Sequence, residues 1–230
     1  MKITIIYDNT VYREELQADW GFSCLVEIEA DKRRYQRGFT RILFDTGGNG
    51  KILLSNMEKL KIDPASIDEV FISHAHFDHI GGLSEFLNVN NKAKIYIPPS
   101  FSGPSDREVI IINGPTKIHE NVFSTGELEG IEQSMVVLTD LPAKASTKAG
   151  KGVVLIVGCS HPYMGHILDV AKQFGKPYAV IGGLHGFSEF ELFKDLQLIC
   201  PTHCTQHKAE LKKLYPKKYI EGGAGKIIEI

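Results

Sequence analysis

Three histidines and an aspartate fall within six positions in His74-Ala75-His76-Phe77-Asp78-His79. Imidazole nitrogens and carboxylate oxygens are suitable ligands for Zn²⁺, and also for Fe or Mn. His74 and His76 stand at i and i+2 as the chain leaves the apolar run Val70–Ser73. Alternate residues of an extended segment point to one side, so the two can grip one ion. Asp78 and His79 follow where the chain should turn into a helix and can face a second ion. Gly81-Gly82 is expected to make that turn possible through glycine's conformational freedom.

The same arrangement of an apolar run ending in a ligand-type residue recurs along the chain. Ile42-Leu43-Phe44 leads to Asp45, and Leu155–Gly158 leads to Cys159-Ser160-His161. Ala179–Gly183 leads to His185 by way of Leu184, and Leu198-Ile199-Cys200 leads to His203. α/β proteins place ligand-binding groups at the ends of strands, so these ends are expected to share one rim. His185 reads as a catalytic residue that contacts substrate or a phosphate, or as a replacement ligand. His119, His166 and His207 lack such a setting and are expected to be structural or exposed. Cys200-Pro201-Thr202-His203-Cys204 has no second Cys/His pair at finger-like spacing, which argues against a structural zinc site. Gly47-Gly48-Asn49-Gly50 precedes a helical pattern without a following Lys-Ser/Thr, so it reads as a tight turn and not a phosphate loop.

The elements that must carry these residues are short strands alternating with helices. Runs rich in Ile, Val, Phe and Tyr predict strands over Ile3–Tyr7, Cys24–Ile28, Arg41–Phe44, Val70–Ser73, Lys94–Ile97, Met135–Leu138, Val153–Val157, Tyr178–Ile181 and Leu198–Cys200. Helical spacing joins Ile52, Leu53, Met57 and Leu60, then Ile167, Leu168, Ala171 and Phe174, then Leu211 and Leu214. Segments 98–115 and 141–150, dense in Pro, Gly, Ser and Lys, are expected to be irregular.

Composition bounds the function class. The chain has 230 residues, 43% hydrophobic and 23% charged, which is globular usage and suits one α/β domain over 1–230. A formal net charge of −2 gives no global field for nucleic acid. Lys32-Arg33-Arg34 and Lys217-Lys218 read as solvated turns or helix ends. No apolar run approaches a spanning helix, no signal peptide is evident, and four scattered cysteines suit reduced thiols. A soluble cytoplasmic protein without membrane or nucleic-acid partners is expected.

The His74-x-His76-x-Asp78-His79 motif resembles the signature of the metallo-β-lactamase superfamily. Phe44-Asp45-Thr46-Gly47 resembles the short motif that precedes it, and Pro201-Thr202-His203 the late metal-ligand histidine. The resemblance implies an αββα sandwich, two mixed sheets packed face to face with helices outside, and one or two transition-metal ions at one edge, Zn²⁺ first among them. Carried over, His74 and His76 hold the first ion, Asp78, His79 and His203 the second, and Asp45 orients the cluster. The Gly-Asp that supplies a bridging carboxylate in many members is missing; Gly158-Cys159-Ser160-His161 stands there instead. His161 is expected to complete the first site, with Cys159 as the alternative, and the second site is expected to be the weaker. Trp20-Gly21-Phe22-Ser23, Ser124-Thr125-Gly126-Glu127, the Cys159-Ser160-His161-Pro162 segment, Gly182-Gly183-Leu184-His185 and Pro201–Thr205 are similar to a narrower branch, the 7,8-dihydropterin-6-methyl-4-(β-D-ribofuranosyl)-aminobenzene-5′-phosphate synthases. Gln206 stands where a glycine commonly follows in that branch.

These readings imply a hydrolase that uses a metal-bound hydroxide on an ester, thioester, lactone or phosphoester, with Asp78 orienting it. The branch implies an alternative, a dihydropteroate-synthase-like transferase joining a pterin-methyl diphosphate to an aromatic amine. Trp20, Phe22 and Phe187 are its candidate stacking residues for a phosphorylated or pterin-like small molecule. A non-catalytic metal-binding sensor is the third reading.

Overall fold

In the central strands, successive side chains divide between two apolar environments, as the two-residue period of a strand requires. Val154 and Ile156 of one strand belong to a cluster with Cys24, Val26, Ile42 and Phe44. Val153, Leu155 and Val157 of the same strand belong to another, with Ile167, Leu168, Val180 and Leu211. A strand buried on both faces must lie in an inner layer with a helix behind it.

The computed structural model describes residues 1–29, 38–140 and 151–230. Among them two mixed sheets are found. The first contains β1 (Lys2–Tyr7), β2 (Ser23–Glu29), β3 (Phe39–Phe44), β4 (Glu69–Phe71), β5 (Lys94–Ile97) and β6 (Val109–Ile111) in sequence order. The second runs from β7 (Thr116–Lys117) through β8 (Val122–Ser124), β9 (Met135–Asp140), β10 (Lys151–Val157) and β11 (Lys176–Gly183) to β12 (Leu198–Thr202). A last strand, β13 (Ile227–Glu229), pairs antiparallel with β1 and closes the first sheet's edge. The helices α1 (Gly50–Lys59), α2 (Phe77–Ile80), α3 (Leu83–Val89), α4 (Met164–Ala171) and α5 (Lys208–Leu214) lie between strands in the chain.

The inner cluster draws on both sheets, with Ile3, Phe44 and Phe71 from one and Val137, Ile156 and Ile181 from the other. Leu53 and Met57 of α1 and Phe86 of α3 cover the first sheet's outer face. Ile167 and Leu168 of α4 and Leu211 of α5 cover the second's. The fold is therefore the expected αββα sandwich. Burial of each large aliphatic or aromatic side chain contributes about 1.5–3 kcal/mol.

Every predicted strand is present. Three differences are instructive. Segment 98–115, expected to be irregular, contains β6, whose Val109 and Ile110 are half-buried. Helix α4 stops at Ala171, so Phe174 packs from the following turn, and Leu214 is 55% exposed because it ends α5. Segments 30–37 and 141–150, with the Lys32-Arg33-Arg34 turn, lie outside the described residues. Among those described, no helix is long and apolar enough to cross a membrane.

Direction matters more than strand count. β3 to β6 run mutually parallel, as do β10 to β12. The C-terminal ends of β3, β4, β10, β11 and β12 thus deliver Asp45, His74, Cys159, His185 and His203 to one rim.

The glycine pair after the histidine motif acts through space, not through backbone freedom. Gly81 has an ordinary helical φ of −61° and Gly82 one of −89°. A Cβ on Gly82 would sit 2.3 Å from the Thr46 carbonyl oxygen, and one on Gly81 2.5 Å from that of Gly48. Gly82→Ala is therefore expected to destabilise the protein by about 1–3 kcal/mol. Gly114→Ala, whose Cβ would meet nothing within 4 Å, should change it by no more than about 0.5 kcal/mol. Urea midpoints of the two variants check the contrast.

Candidate metal centre

Asp45 follows β3 in the left-handed region, at φ +52°, and its carboxylate is fully buried. Its Oδ1 accepts from the Ser73 backbone N–H at 2.7 Å, and its Oδ2 accepts from the Ser73 hydroxyl at 2.7 Å. The same Oδ2 lies 2.7 Å from His79 Nδ1. A carboxylate only accepts, so His79 carries its proton on Nδ1 and presents a lone pair at Nε2. The Ser73 hydroxyl, having donated its hydrogen, accepts from His74 Nδ1 at 2.8 Å. His74 therefore presents its lone pair at Nε2 as well.

The third buried histidine is fixed from the first strand of the chain. Asn9 Nδ2 donates to the His203 carbonyl, and Asn9 Oδ1 accepts from the Gly21 N–H. That leaves Asn9 Oδ1 to accept from His203 Nδ1 at 2.9 Å, and His203 Nε2 is again a bare lone pair. It lies 3.0 Å from Asp78 Oδ2. A lone pair and a carboxylate at that distance repel unless a cation lies between them.

Two donor groups result. In the first, His76 Nδ1 is 3.1 Å from His74 Nε2 and 3.1 Å from His161 Nε2. Nitrogens bound tetrahedrally at ~2.0–2.1 Å to one ion stand ~3.3 Å apart, so this spacing suits a shared ion. The second contains Asp78, His79, Cys159 and His203, with His79 Nε2 3.1 Å from Cys159 Sγ. Cys159 also groups with His161 and His185 within 4.8 Å, so its sulfur stands between the two sets. The donor chemistry fits transition-metal ions: imidazoles, a carboxylate and a thiol converge, with the second ring nitrogens of His74, His79 and His203 already committed.

Electrostatics agree. Burial, with the neighbouring His79 and His161, pushes the His74 pKa far below its ordinary value. Burial lowers His161 to about 4, helped by His185 and His76, and lowers His185 and His203 as well. Burial would raise Asp78, but the close approach of His203 and the field of His79 hold it well below the usual carboxylate range. His79 moves the other way: burial lowers it, but Asp45 outweighs that and raises it.

The turn carrying Cys159 and His161 depends on a residue the sequence did not announce. Glu132 is buried and accepts from the backbone N–H groups of Gly158, Cys159 and Ser160 through Oε1. Its Oε2 accepts from His161 N–H at 3.0 Å. Glu132 lies between β8 and β9 with no pattern around it. Asn9 carried a usable signal, since Asp8-Asn9 directly follows the apolar run Ile3–Tyr7.

Other expectations divide. The structure brings His161, and not Cys159, to His74 and His76; Cys159 is buried yet faces the second set. His185 reaches the cluster half-exposed, its ring 4.6 Å from that of His161. His119 pairs with Glu69 at 2.6 Å and is structural, while His166 and His207 lie well outside the cluster beside Glu129 and Glu210. At Gly47–Gly50 the chain bends at Gly48 and enters α1 at Gly50, with Asn49 as its cap. Of the three aromatic candidates, Phe22 is fully buried in the inner core and Phe187 packs against Phe190 and Phe193. Trp20 alone stands 60% exposed with its ring 5.1 Å from that of His203.

Comparison with known proteins agrees with this fold. The profile of the Metallo-beta-lactamase superfamily matches residues 36–189. A 7,8-dihydropterin-6-methyl-4-(beta-D-ribofuranosyl)-aminobenzene-5'-phosphate synthase of Methanocaldococcus jannaschii is 28% identical, over 98% of this chain and 95% of its own. The crystal structure of a metal-dependent hydrolase of the beta-lactamase superfamily superposes with a TM-score of 0.69 at 25% identity, covering 100% of this chain and 99% of that one. A metallo-beta-lactamase fold protein of Bacillus subtilis, 14% identical over 99% of both chains with a TM-score of 0.66, shares the fold.

Four histidines with lowered values oppose one with a raised value, which sets a pH dependence for the metal-free protein. Unfolding lets His74, His161, His185 and His203 take up protons that the folded chain refuses, so stability falls as pH drops through ~6.5. The His161 contribution levels off near pH 4. Chelator-treated protein should show a lower urea midpoint at pH 5.5 than at 7.5, and an equal or higher one would contradict the histidine assignments. Asp45→Ala, which strands His79 Nδ1 and the Ser73 amide, should cost at least about 1–3 kcal/mol at pH 7.5.

Proposed function

The chain belongs to the metallo-β-lactamase superfamily, and we propose that it is a metal-dependent hydrolase of a small-molecule ester, thioester, lactone or phosphoester. The supporting observation is the convergence of bare imidazole lone pairs on Asp78, with His203 Nε2 3.0 Å from its carboxylate in a buried setting that disfavours protonation of His203. In this reading His74, His76 and His161 hold one ion. Asp78, His79, Cys159 and His203 hold another, and Cys159 supplies the donor expected from a bridging aspartate. The expectation of a weaker second site rested on that missing aspartate, so the thiol removes its ground. Imidazole, carboxylate and thiolate together suit Zn²⁺ best, with Fe or Mn as alternatives.

When bound, such ions acidify a water and polarise a carbonyl or phosphoryl oxygen. The protein's own groups do the rest. Asp78, ionised and angled by His203, orients the attacking water toward the scissile bond. His185, neutral near pH 7 and half-exposed beside His161, stands at the mouth to accept a proton from that water or to meet an anionic group. Asp45, Ser73 and Asn9 keep three imidazoles in the required tautomers, and Glu132 holds the His161 turn in place.

A second reading has its own support. The relative from M. jannaschii is named as a synthase, and its 28% identity extends over nearly the whole of both chains. Under that reading the same donors hold the diphosphate of a pterin-methyl donor while an aromatic amine displaces it, and Trp20 offers the planar group a stacking face.

Metal analysis of purified protein is expected to give one to two ions per chain. His76→Ala and Cys159→Ser should each lose about one, and His76→Ala should lower activity by at least ~100-fold. Exposed His166→Ala should change neither. A screen of aryl esters, lactones and phosphodiesters separates the readings from dihydropterin diphosphate with an aromatic amine. Full activity in metal-free protein would refute both.

A further inference from the structure

The sulfurs of Cys159 and Cys204 lie 3.3 Å apart. They sit just beyond the ends of β10 and β12, on either side of the end of β11. Gly183, at that end, makes room for them: a Cβ there would be 2.7 Å from Cys204 Sγ and 3.3 Å from Cys159 Cα. The Cys159 backbone is held by Glu132. The Cys204 loop is held by Thr205, whose hydroxyl donates to the Thr202 carbonyl and accepts from Leu184 N–H. All four cysteines are free thiols. Cys24 and Cys200 lie fully buried in the inter-sheet core, whereas Cys159 shares a cluster with the half-exposed His161 and His185. Cys204 is assigned no part in the chemistry above.

We propose that Cys159 and Cys204 form an oxidisable pair, in which a peroxide links the two sulfurs as a disulfide and withdraws the Cys159 sulfur from the second donor set. The consequence for metal rests on the reading of Cys159 as a donor; the disulfide itself does not. Cys204, the more exposed of the two at 8%, attacks the peroxide oxygen. The O–O bond breaks, Cys204 becomes a sulfenic acid and water leaves. The Cys159 sulfur then attacks the Cys204 sulfur and expels its hydroxyl as a second water. The thiol pair loses two electrons and two protons, and hydrogen peroxide is reduced to two waters. An S–S bond of ~2.05 Å requires the sulfurs to close by about 1.2 Å from their present 3.3 Å. The three-histidine set contains no sulfur and keeps its ligands.

The experiment treats the full chain with hydrogen peroxide in metal-free and Zn²⁺-loaded forms, then counts thiols after unfolding and maps the peptides. Expected in both forms are a fall from four titratable thiols to two and a Cys159–Cys204 cross-link two hydrogens lighter. The loaded form should also release one equivalent of Zn²⁺, recovered after reduction with dithiothreitol and fresh Zn²⁺. Cys204→Ser should form no such link and show no Zn²⁺ loss that dithiothreitol reverses. Failure of metal-free wild-type protein to form the link would overturn the pair, whatever the fate of the variant. A link that forms with all Zn²⁺ retained would leave the thiol chemistry standing, but would overturn both the metal consequence and Cys159's place among the donors.

Discussion

Asp45 is fully buried, and both donor sets depend on how its carboxylate is satisfied. Its direct bond to His79 Nδ1 frees Nε2 for the second set. Its bond from the Ser73 hydroxyl makes that oxygen an acceptor for His74 Nδ1, which frees Nε2 for the first. One side chain at the end of β3 therefore fixes the proton positions of two histidines in the loop after β4. The same device recurs with other partners. Glu132 takes four backbone N–H groups of the Cys159 turn, and Asp8 Oδ1 accepts the His203 N–H at 2.7 Å. Each turn that presents ligands is thus tied down by a buried carboxylate from another strand end or loop.

Such anchoring is needed because the turns are strained. Asp45, Ser160, His185 and His203 all have positive φ, between +44° and +58°. For residues with a Cβ this conformation costs on the order of 1–3 kcal/mol each, and it persists where the surroundings over-determine it. The strain is useful at a strand end. A strand that continued smoothly would send alternate side chains to opposite faces of the sheet; a left-handed residue turns the next groups sideways, across the rim. The glycines nearby serve approach instead. Gly21, at φ +142°, lies so near the Asp78 carbonyl that a Cβ would be 2.4 Å from it, and Phe22 N–H donates to that same carbonyl.

What the sequence disclosed follows from this construction. The strands were legible because β10 and the Ile42–Phe44 end of β3 are buried on both faces and read as continuous apolar runs. The ligand-type residues were legible because each lies at or just past the end of such a run, as His74 follows Val70–Ser73 and His203 comes three residues after Cys200. Glu132 was not legible: its role is to accept backbone N–H groups from residues 158–161, and any carboxylate in a polar loop looks the same before folding. The orientation of Cys159 was hidden for a different reason. A thiol that ends an apolar strand has the composition of a packing residue, and only the tertiary approach of His79 reveals the side it faces. Short elements such as β6 and β13 escaped because three residues carry too little periodicity to separate a strand from an apolar turn.

The two donor sets differ in charge, and the difference bears on where reactivity resides. Under the proposed assignment, three neutral imidazoles would leave the charge of a bound divalent ion uncompensated, whereas Asp78 and a thiolate at Cys159 would cancel most of it. An attacking water is acidified most by the less compensated charge, and a leaving group's negative charge is drawn the same way. The first set is also the open one: His76 is exposed and His161 half-exposed, while His79, Cys159 and His203 are buried. Access and charge thus favour the same side, the one His185 borders. The richer, buried set is suited to hold and orient, and the poorer, open set to react. Under the proposed function, that division would put Cys159, and with it Cys204, on the side that governs assembly of the centre, while the more exposed His76, His161 and His185 would be the ones to meet substrate.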